Sequence, residues 1–423
     1  MSRSPSSVVH RSLFAALLLM SPFDLLASMG MDVYLPVVPE MPRILGTTPS
    51  VVQLTLSLYM VILGAGQLLF GPMSDAIGRR PVLLGGAVTF AVASFLLAGA
   101  ASAAAFVALR VLQATGAAAA LVATFATVRD VYADRPEGAV IYALFGAMLS
   151  FVPALGPIAG ALLAEHFGWR SIFVLLGALA TAATLQALAK WHETRPAPTS
   201  RPHLAFGAIL RDRHFWTYSL GFSAAMGAFF VFFSTAPRVL IDKAGFSQLA
   251  FSLAFASVAL VLIATTRFAK GFVTRWGHAG SLRRGMAMLL IGAALLTAGQ
   301  RVAPGWFGSF GSFWTFVPPM WVIAVGIVLA CSVTANGALQ AFGHAAGTAT
   351  ALYYCVESLI VGLAGTASVV LLPGDTAWPL VAYASLLSVL TLIFQGSLSK
   401  HERARLPERS KTIGDVREPT TSR

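Results

Sequence analysis

The sequence predicts an all-helical membrane protein of twelve spans, in two halves of six with both termini cytoplasmic, and three observations predict it. The first is composition. Of 423 residues 57% are hydrophobic and 11% charged, with mean hydropathy +0.76, whereas a soluble domain carries about 25% charged residues. The second is run length. A bilayer core about 30 Å thick takes about 20 apolar residues per helix, the length of the runs seen here. A membrane β-barrel needs alternating segments of about ten residues, and these runs do not alternate. The third is the placement of charge. The N-terminus, the loops at 71–80, 129–135, 190–213 and 267–284, and the C-terminal tail hold 23 of the 29 Lys and Arg. The alternate loops hold only Arg43, Arg170, Arg238, Lys243 and Arg301, and Arg110 lies inside a span. By the positive-inside rule the basic side is cytoplasmic, so the net charge of +12 is an orientation signal and not a nucleic-acid footprint.

Pro, Gly and charged residues delimit the elements in order. The run 12–34 follows Arg11 and carries Asp24, which the apolar core of a cleaved leader would exclude, so it is read as a span. Span 51–71 ends at Gly71-Pro72, and 82–101 follows Arg79-Arg80-Pro81. Span 104–126 runs toward Arg129-Asp130, 140–163 contains Pro153 and Pro157, and 171–190 closes on Lys190. The polar stretch 191–214 divides an N-terminal half, 1–190, from a C-terminal half, 215–398, which a basic tail follows at 399–423. The second half comprises 215–236, ending at Pro237; 248–266; 284–301; 313–334; 346–371, closed by Pro373-Gly374; and 376–398. The 2–3 loop, Gly71 to Arg80, is echoed by the 8–9 loop, Arg267 to Gly277, as short basic hairpins in a duplicated chain.

Few ionisable residues fall within spans: Asp24 and Asp32 in the first, Arg110 in the fourth and Glu357 in the eleventh. Each costs several kcal/mol in hydrocarbon unless it faces a partner or a wet cavity, so each is a candidate for proton coupling. Asp24 and Asp32 lie about 12 Å apart along one helix face. Arg110 sits at a depth between them and is expected to pair with either, in a proton relay or simply as a lock between helices. Glu357 lies about 16 Å into its span, at a depth similar to Asp24. It is expected to face the cavity, to pair with a donor such as Tyr354, or to stay neutral. All eight histidines lie in loops, tails or span ends, so carboxylates must carry any coupled proton. Cys331 and Cys355 fall in apolar runs and read as small hydrophobes, not as a bridge or a metal site. No phosphate-cradling Gly-x-x-x-x-Gly-Lys, no His-Glu-x-x-His and no Gly-x-Ser-x-Gly occurs, which leaves an enzyme without a constellation and makes an ion gradient the energy source.

Three motifs then carry a resemblance that covers nearly the whole chain. Gly71-x-Met73-x-Asp75-x-x-Gly78-Arg79-Arg80 resembles the cytoplasmic signature of the major facilitator superfamily, with Met73 where Leu is usual and Ala76 where a basic residue is common. Arg110-x-x-Gln113-x-x-Gly116 resembles its fourth-span motif, and Gly156-Pro157-x-x-Gly160 its fifth-span antiporter motif. The stretches around Asp24, Asp32, Arg129-Asp130, Glu193 and Pro237 look like the phenicol exporters of the drug:proton antiporter branch. The resemblance implies the major facilitator fold and proton-driven export of chloramphenicol- or florfenicol-type antibiotics across the bacterial inner membrane. No cofactor or metal is implied beyond the proton gradient; the partners are drug, protons and lipid, with no nucleic acid, and the chain is expected to act as a monomer. A broader multidrug exporter or an uptake symporter of the same fold is the alternative, and a receptor or enzyme within the membrane is the rival of another class. Drug contacts are expected from Asp24, Tyr59, Gln113, Phe229, Phe233 and Tyr354, whose rings, like those of Phe230 and Phe232, suit either an aryl ligand or an ordinary core. Gly156-Pro157 would let helices approach at a rocking interface, or merely kink one. Asp75 is expected in a loop facing a helix N-terminus, and Arg79 against Asp130, in contacts confined to the inward-closed state. The eleventh span of the phenicol exporters is usually neutral at the position of Glu357, where this chain departs from the pattern.

Overall fold

The computed structural model describes residues 13–132, 136–195, 206–302, 308–342 and 346–414. Arg3, His10, Arg11, Arg135, Arg201, His203, His344, Arg417 and Arg423 fall outside them.

Long apolar runs with few helix breakers satisfy their backbone groups internally, and helix is the result. In chain order the long helices are α1 Leu13–Asp32, α2 Pro49–Ile77, α3 Arg79–Ala98, α4 Ala103–Tyr132, α5 Pro136–Phe167 and α6 Arg170–Lys190. They continue as α7 Arg213–Pro237, α8 Gln248–Thr266, α9 Ala269–Val302, α10 Gly308–Leu339, α11 Ala346–Ile360 and α12 Trp378–Gly414. A π segment, Val361–Gly365, and a last turn, Thr366–Leu371, extend α11. A 3-10 turn, Leu35–Glu40, follows α1, and a short helix, Phe206–Arg211, lies inside the expected central loop.

Among the described residues eleven helices are long and apolar enough to cross a membrane, which makes this a multi-pass membrane protein. α5 carries the shorter apolar stretch Phe151–Phe167. Two expected loops proved largely helical. α2 runs on to Ile77 and α3 starts at Arg79, so Gly78 alone separates them, with φ 114° and ψ 155°. That left-handed backbone suits glycine. α9 begins at Ala269, with a break at Gly277 (φ 65°, ψ −179°), so most of the expected 8–9 loop is also helix.

Helices α1 to α6 pack chiefly on one another, as do α7 to α12, and the pairings repeat: α3 on α4 and α6, α2 on α4, and α1 on α5 are matched by α9 on α10 and α12, α8 on α10, and α7 on α11. Small residues bring the tightest pairs together. A Cβ on Gly116 would stand 2.6 Å from the Gly86 carbonyl oxygen, and one on Gly326 2.7 Å from that of Gly285. Gly86 and Gly285 lie the same number of residues beyond Gly78 and Gly277, so the loop echo continues into the helix contacts.

The two sets meet along α2–α11 and α5–α8. The bonds between them cluster at the end opposite Gly78 and Gly277. Gln53 Nε2 donates to Ser234 Oγ (3.0 Å), Thr366 Oγ1 to Ser57 Oγ (2.5 Å), Ser252 Oγ to the Pro157 carbonyl (3.0 Å) and Gln248 Nε2 to Glu40 Oε1 (2.8 Å).

Candidate functional site

Arg110 is fully buried at the meeting of four helices. Its Nη1 donates to the Gly30 carbonyl of α1 (2.7 Å) and to Gln113 Oε1 one turn on (2.6 Å). Gln113 Nε2 donates in turn to Ser94 Oγ of α3 (2.8 Å). The guanidinium lies 4.6 Å from the Tyr59 ring centre and 5.2 Å from that of Tyr34, and Tyr59 donates its hydroxyl to the Ala27 carbonyl (2.8 Å). The expected ion pair with Asp24 or Asp32 is absent: among the described residues neither carboxylate lies within 4.0 Å of Arg110. A main-chain carbonyl between the two acids takes their place, because the aromatic sandwich aims the fork at the helix backbone. Among the described residues Arg110 Nε and Nη2 have no hydrogen-bond partner, and neither has Oδ2 of Asp24, which is 3% exposed.

Asp32 closes α1 against the expected antiporter motif of α5. A Cβ on Gly156 would lie 2.9 Å from Asp32 Cβ, and one on Gly160 would run into the Val33 carbonyl oxygen. The glycines therefore admit close approach, whatever bend Pro157 adds. Gly160→Ala is expected to lower the melting temperature of the purified protein more than Gly156→Ala does, because a carbonyl within a packed backbone cannot rotate aside. Equal melting temperatures would show that α1 shifts freely at this contact.

Glu357, 5% exposed, accepts from its neighbour Ser358 (Oγ to Oε2, 3.0 Å) and not from Tyr354. Tyr354 turns outward, 36% exposed, edge-on to Phe222 and Tyr353. The next residue, Ser358, packs against Gly64 of α2 so closely that a Cβ there would overlap it, and this contact fixes which face of α11 meets α2. The α7 rings pack on neighbouring rings: Phe229 and Phe233 on Phe255 of α8, and Phe232 on Phe255 (5.1 Å) and Phe316 (5.7 Å). Phe230 lies against Gly365. Cys331 and Cys355 are free thiols.

At the Gly78 end, Arg79 is 2% exposed and pairs through Nε with Asp130 Oδ2 of α4 at 2.8 Å, as the sequence suggests. Gly71, at the head of the motif, supplies the carbonyl that Ser74 Oγ binds (2.9 Å), and Ser74 Oγ accepts from Arg79 Nη1 (2.7 Å). Asp75 does not face a helix N-terminus. It sits in the last turn of α2 and pairs with Arg79, because α2 continues past the expected loop. The helix start is capped instead by Glu193, which sequence reasoning did not assign to the cluster. Its carboxylate accepts from the backbone N–H groups of Arg79 (2.8 Å), Arg195 (3.0 Å), Thr194 (3.1 Å) and Arg80 (3.2 Å). Arg80 Nη2 holds the Leu188 carbonyl (3.0 Å), and Arg195 binds that of Ala76. The Arg79–Asp130 pair coexists with the bonds that join the two sets at the opposite end, so it does not require that end to be apart.

Burial pushes the Glu193 carboxyl up, and the four N–H donors outweigh it and hold it below the usual glutamate range. A depressed folded value stabilises the fold above the unfolded value, about 4.3, and that contribution is lost as pH falls through the folded value. Glu193→Gln is therefore expected to melt below wild type at pH 7, with the gap closing below about pH 4. A gap that stays constant across pH would show that the carboxylate charge is not what holds the cap.

A match to the Major Facilitator Superfamily covers residues 24–366. The chain belongs to that superfamily. It is 50% identical over 384 residues to a protein of Pseudomonas aeruginosa named Chloramphenicol resistance protein, covering 90% of each chain. It is 26% identical over 346 residues to Multidrug resistance protein D of Escherichia coli (strain K12), covering 81% of this chain and 85% of that one. Among solved structures, a D-xylose-proton symporter superposes with a TM-score of 0.71 over 90% of this chain and 98% of that one, a likeness of fold alone at 16% identity. Membership places the Arg110 and Glu193 clusters in a transporter and not in an enzyme.

Proposed function

We propose that the chain exports chloramphenicol- and florfenicol-type antibiotics from the bacterial cytoplasm across the inner membrane in exchange for protons. The observation that carries this reading is the 50% identity, over 90% of both chains, to the Pseudomonas aeruginosa Chloramphenicol resistance protein. In this reading α5 is the twelfth span, both termini are cytoplasmic, and helices α1–α6 and α7–α12 are the halves that rock. Asp24 takes the proton: a buried carboxylate with an unpartnered oxygen keeps its charge only while water reaches it, so closing the site to water requires a proton there. Arg110 organises α1 and α4 around it and does not bind drug, since phenicols carry no negative charge. Tyr59 and Gln113 belong to the same cluster and are expected to act on drug through it, whereas Phe229, Phe233 and Tyr354 are the drug contacts proposed on the other half. The bonds linking Gln53 to Ser234 and Ser57 to Thr366 close the external side. The cluster of Gly71, Asp75, Gly78, Arg79, Arg80, Asp130 and Glu193 braces the cytoplasmic side of the first half. Likeness to Multidrug resistance protein D supports a wider drug range as the second reading.

Cells expressing the chain are expected to accumulate less labelled chloramphenicol than control cells, with the difference erased when the proton gradient is dissipated. Greater accumulation on expression would mean uptake and overturn the export reading. Glu357→Gln tests whether the second half adds a protonatable site: resistance to phenicols and to a cationic drug is expected to shift with external pH relative to wild type. Coincident profiles would leave Glu357 a neutral hydrogen-bonded acid.

A further inference from the structure

The Gly277 end of the second set of helices forms an open cavity of about 740 Å3 lined by the guanidinium groups of Arg275, Arg283 and Arg284 and by His214 and His278. No carboxylate occurs among the described residues that line it. We propose that this cavity binds a phosphate group, carried by an anionic lipid headgroup or free in solution.

The first half shows what the same scaffold does with its charge. Gly78 and Gly277 share a left-handed φ and an extended ψ, Gly78 between the second and third long helices of its set and Gly277 at the break within the third. After Gly78 the cations are balanced from within: Asp75 precedes the glycine, Asp130 meets Arg79, and Glu193 caps the new helix. Around Gly277 no carboxylate among the described residues takes these places. Thr274 stands at the place of Asp75, and Gln340, directly after α10, lines the cavity. Among the described residues no side chain caps the helix that resumes after Gly277. The arginines remain, and an exogenous anion supplies the charge that Asp75, Asp130 and Glu193 supply in the other half.

The wall is held in place before any ligand arrives. The Arg284 guanidinium lies 4.5 Å from the Trp276 ring centre and its Nη1 donates to the Gly280 carbonyl (3.2 Å). Trp276 stacks on Phe272 at 5.0 Å, and Gln395 Nε2 of α12 clamps the Ala279 carbonyl (2.6 Å). Arg275 and Arg283 are exposed, with their donors unoccupied among the described residues. Guanidinium forks match phosphate oxygens in pairs, where ammonium offers only a point charge. Basic pockets between membrane helices at the cytoplasmic surface suit lipid headgroups, at about 1 kcal/mol per Lys or Arg.

The test is the melting temperature of the full-length protein in neutral detergent, titrated with short-chain phosphatidylglycerol, short-chain phosphatidylcholine or inorganic phosphate. Phosphatidylglycerol is expected to raise it saturably, and phosphatidylcholine is not. The double variant Arg275→Gln with Arg283→Gln, both on the surface and outside the Arg284–Trp276 contact, is expected to need about 30-fold more phosphatidylglycerol. The corresponding pair of Lys substitutions should fall between wild type and the Gln pair. If inorganic phosphate stabilises as well as phosphatidylglycerol, and the Gln pair abolishes both effects, the cavity takes the soluble anion. If no phosphate source shifts the wild type, or the Gln pair responds like wild type, the site does not exist.

Discussion

Arg110→Lys is expected to remove most of the resistance the wild-type chain confers, about tenfold or more, with the protein still reaching the membrane. The side chain does two jobs that need its shape. Nη1 bonds Gly30 O and Gln113 Oε1 together, and the flat guanidinium lies between the rings of Tyr34 and Tyr59. An ammonium on a flexible stem keeps the charge but cannot hold this fork and stack at once. A buried acceptor left unpaired costs about 1–3 kcal/mol, and a 1.4 kcal/mol loss in the working conformation is already tenfold. Gln113 would also lose the partner that orients it toward Ser94, so the fault spreads from α4 into α3. Near-normal resistance from the Lys variant, measured as growth across drug concentrations, would reduce the requirement to charge alone.

Asp24→Asn is expected to abolish export while leaving abundance in the membrane unchanged. The amide has the shape of the acid, and no ion pair among the described residues depends on Asp24, so the fold loses little. What is lost is the proton. The variant cannot alternate between charged and neutral forms, and drug movement is uncoupled from the gradient. Facilitated movement down a drug gradient is expected to survive. An Asn variant that still lowers accumulation to the wild-type level would move the carrier to Asp32 or Glu357.

Much of the architecture was legible because it rests on length and periodicity. The apolar runs mark the spans to within a turn at most ends, and the spacing of Asp75, Arg79 and Asp130 points to a charged cluster that the structure assembles. The misses have a common cause. Arg110 was expected to find a carboxylate and found the Gly30 carbonyl, an acceptor every residue carries and no side-chain pattern announces. Glu193 caps a helix that starts 114 positions earlier in the chain, a contact set by tertiary folding of the segment after α6. Its sequence signal was the polar run His192 to Arg195, shortly after Lys190. Helix also continued through both basic loops, since charged residues sustain helix as readily as apolar ones once the chain leaves the bilayer. The tight passage of Gly160 over Val33 likewise depends on a backbone oxygen, so the sequence motif names the glycine without naming what it touches.

In the proposed function protons drive drug across this protein. The most direct measurement is chloramphenicol flux in vesicles reconstituted with the purified chain, under a proton gradient imposed with no drug gradient. Labelled drug is expected to move toward the side of higher proton concentration, against its own rising gradient, with protons counted moving the other way. Drug that only equilibrates, at a rate the imposed gradient does not change, would rule out proton-driven export.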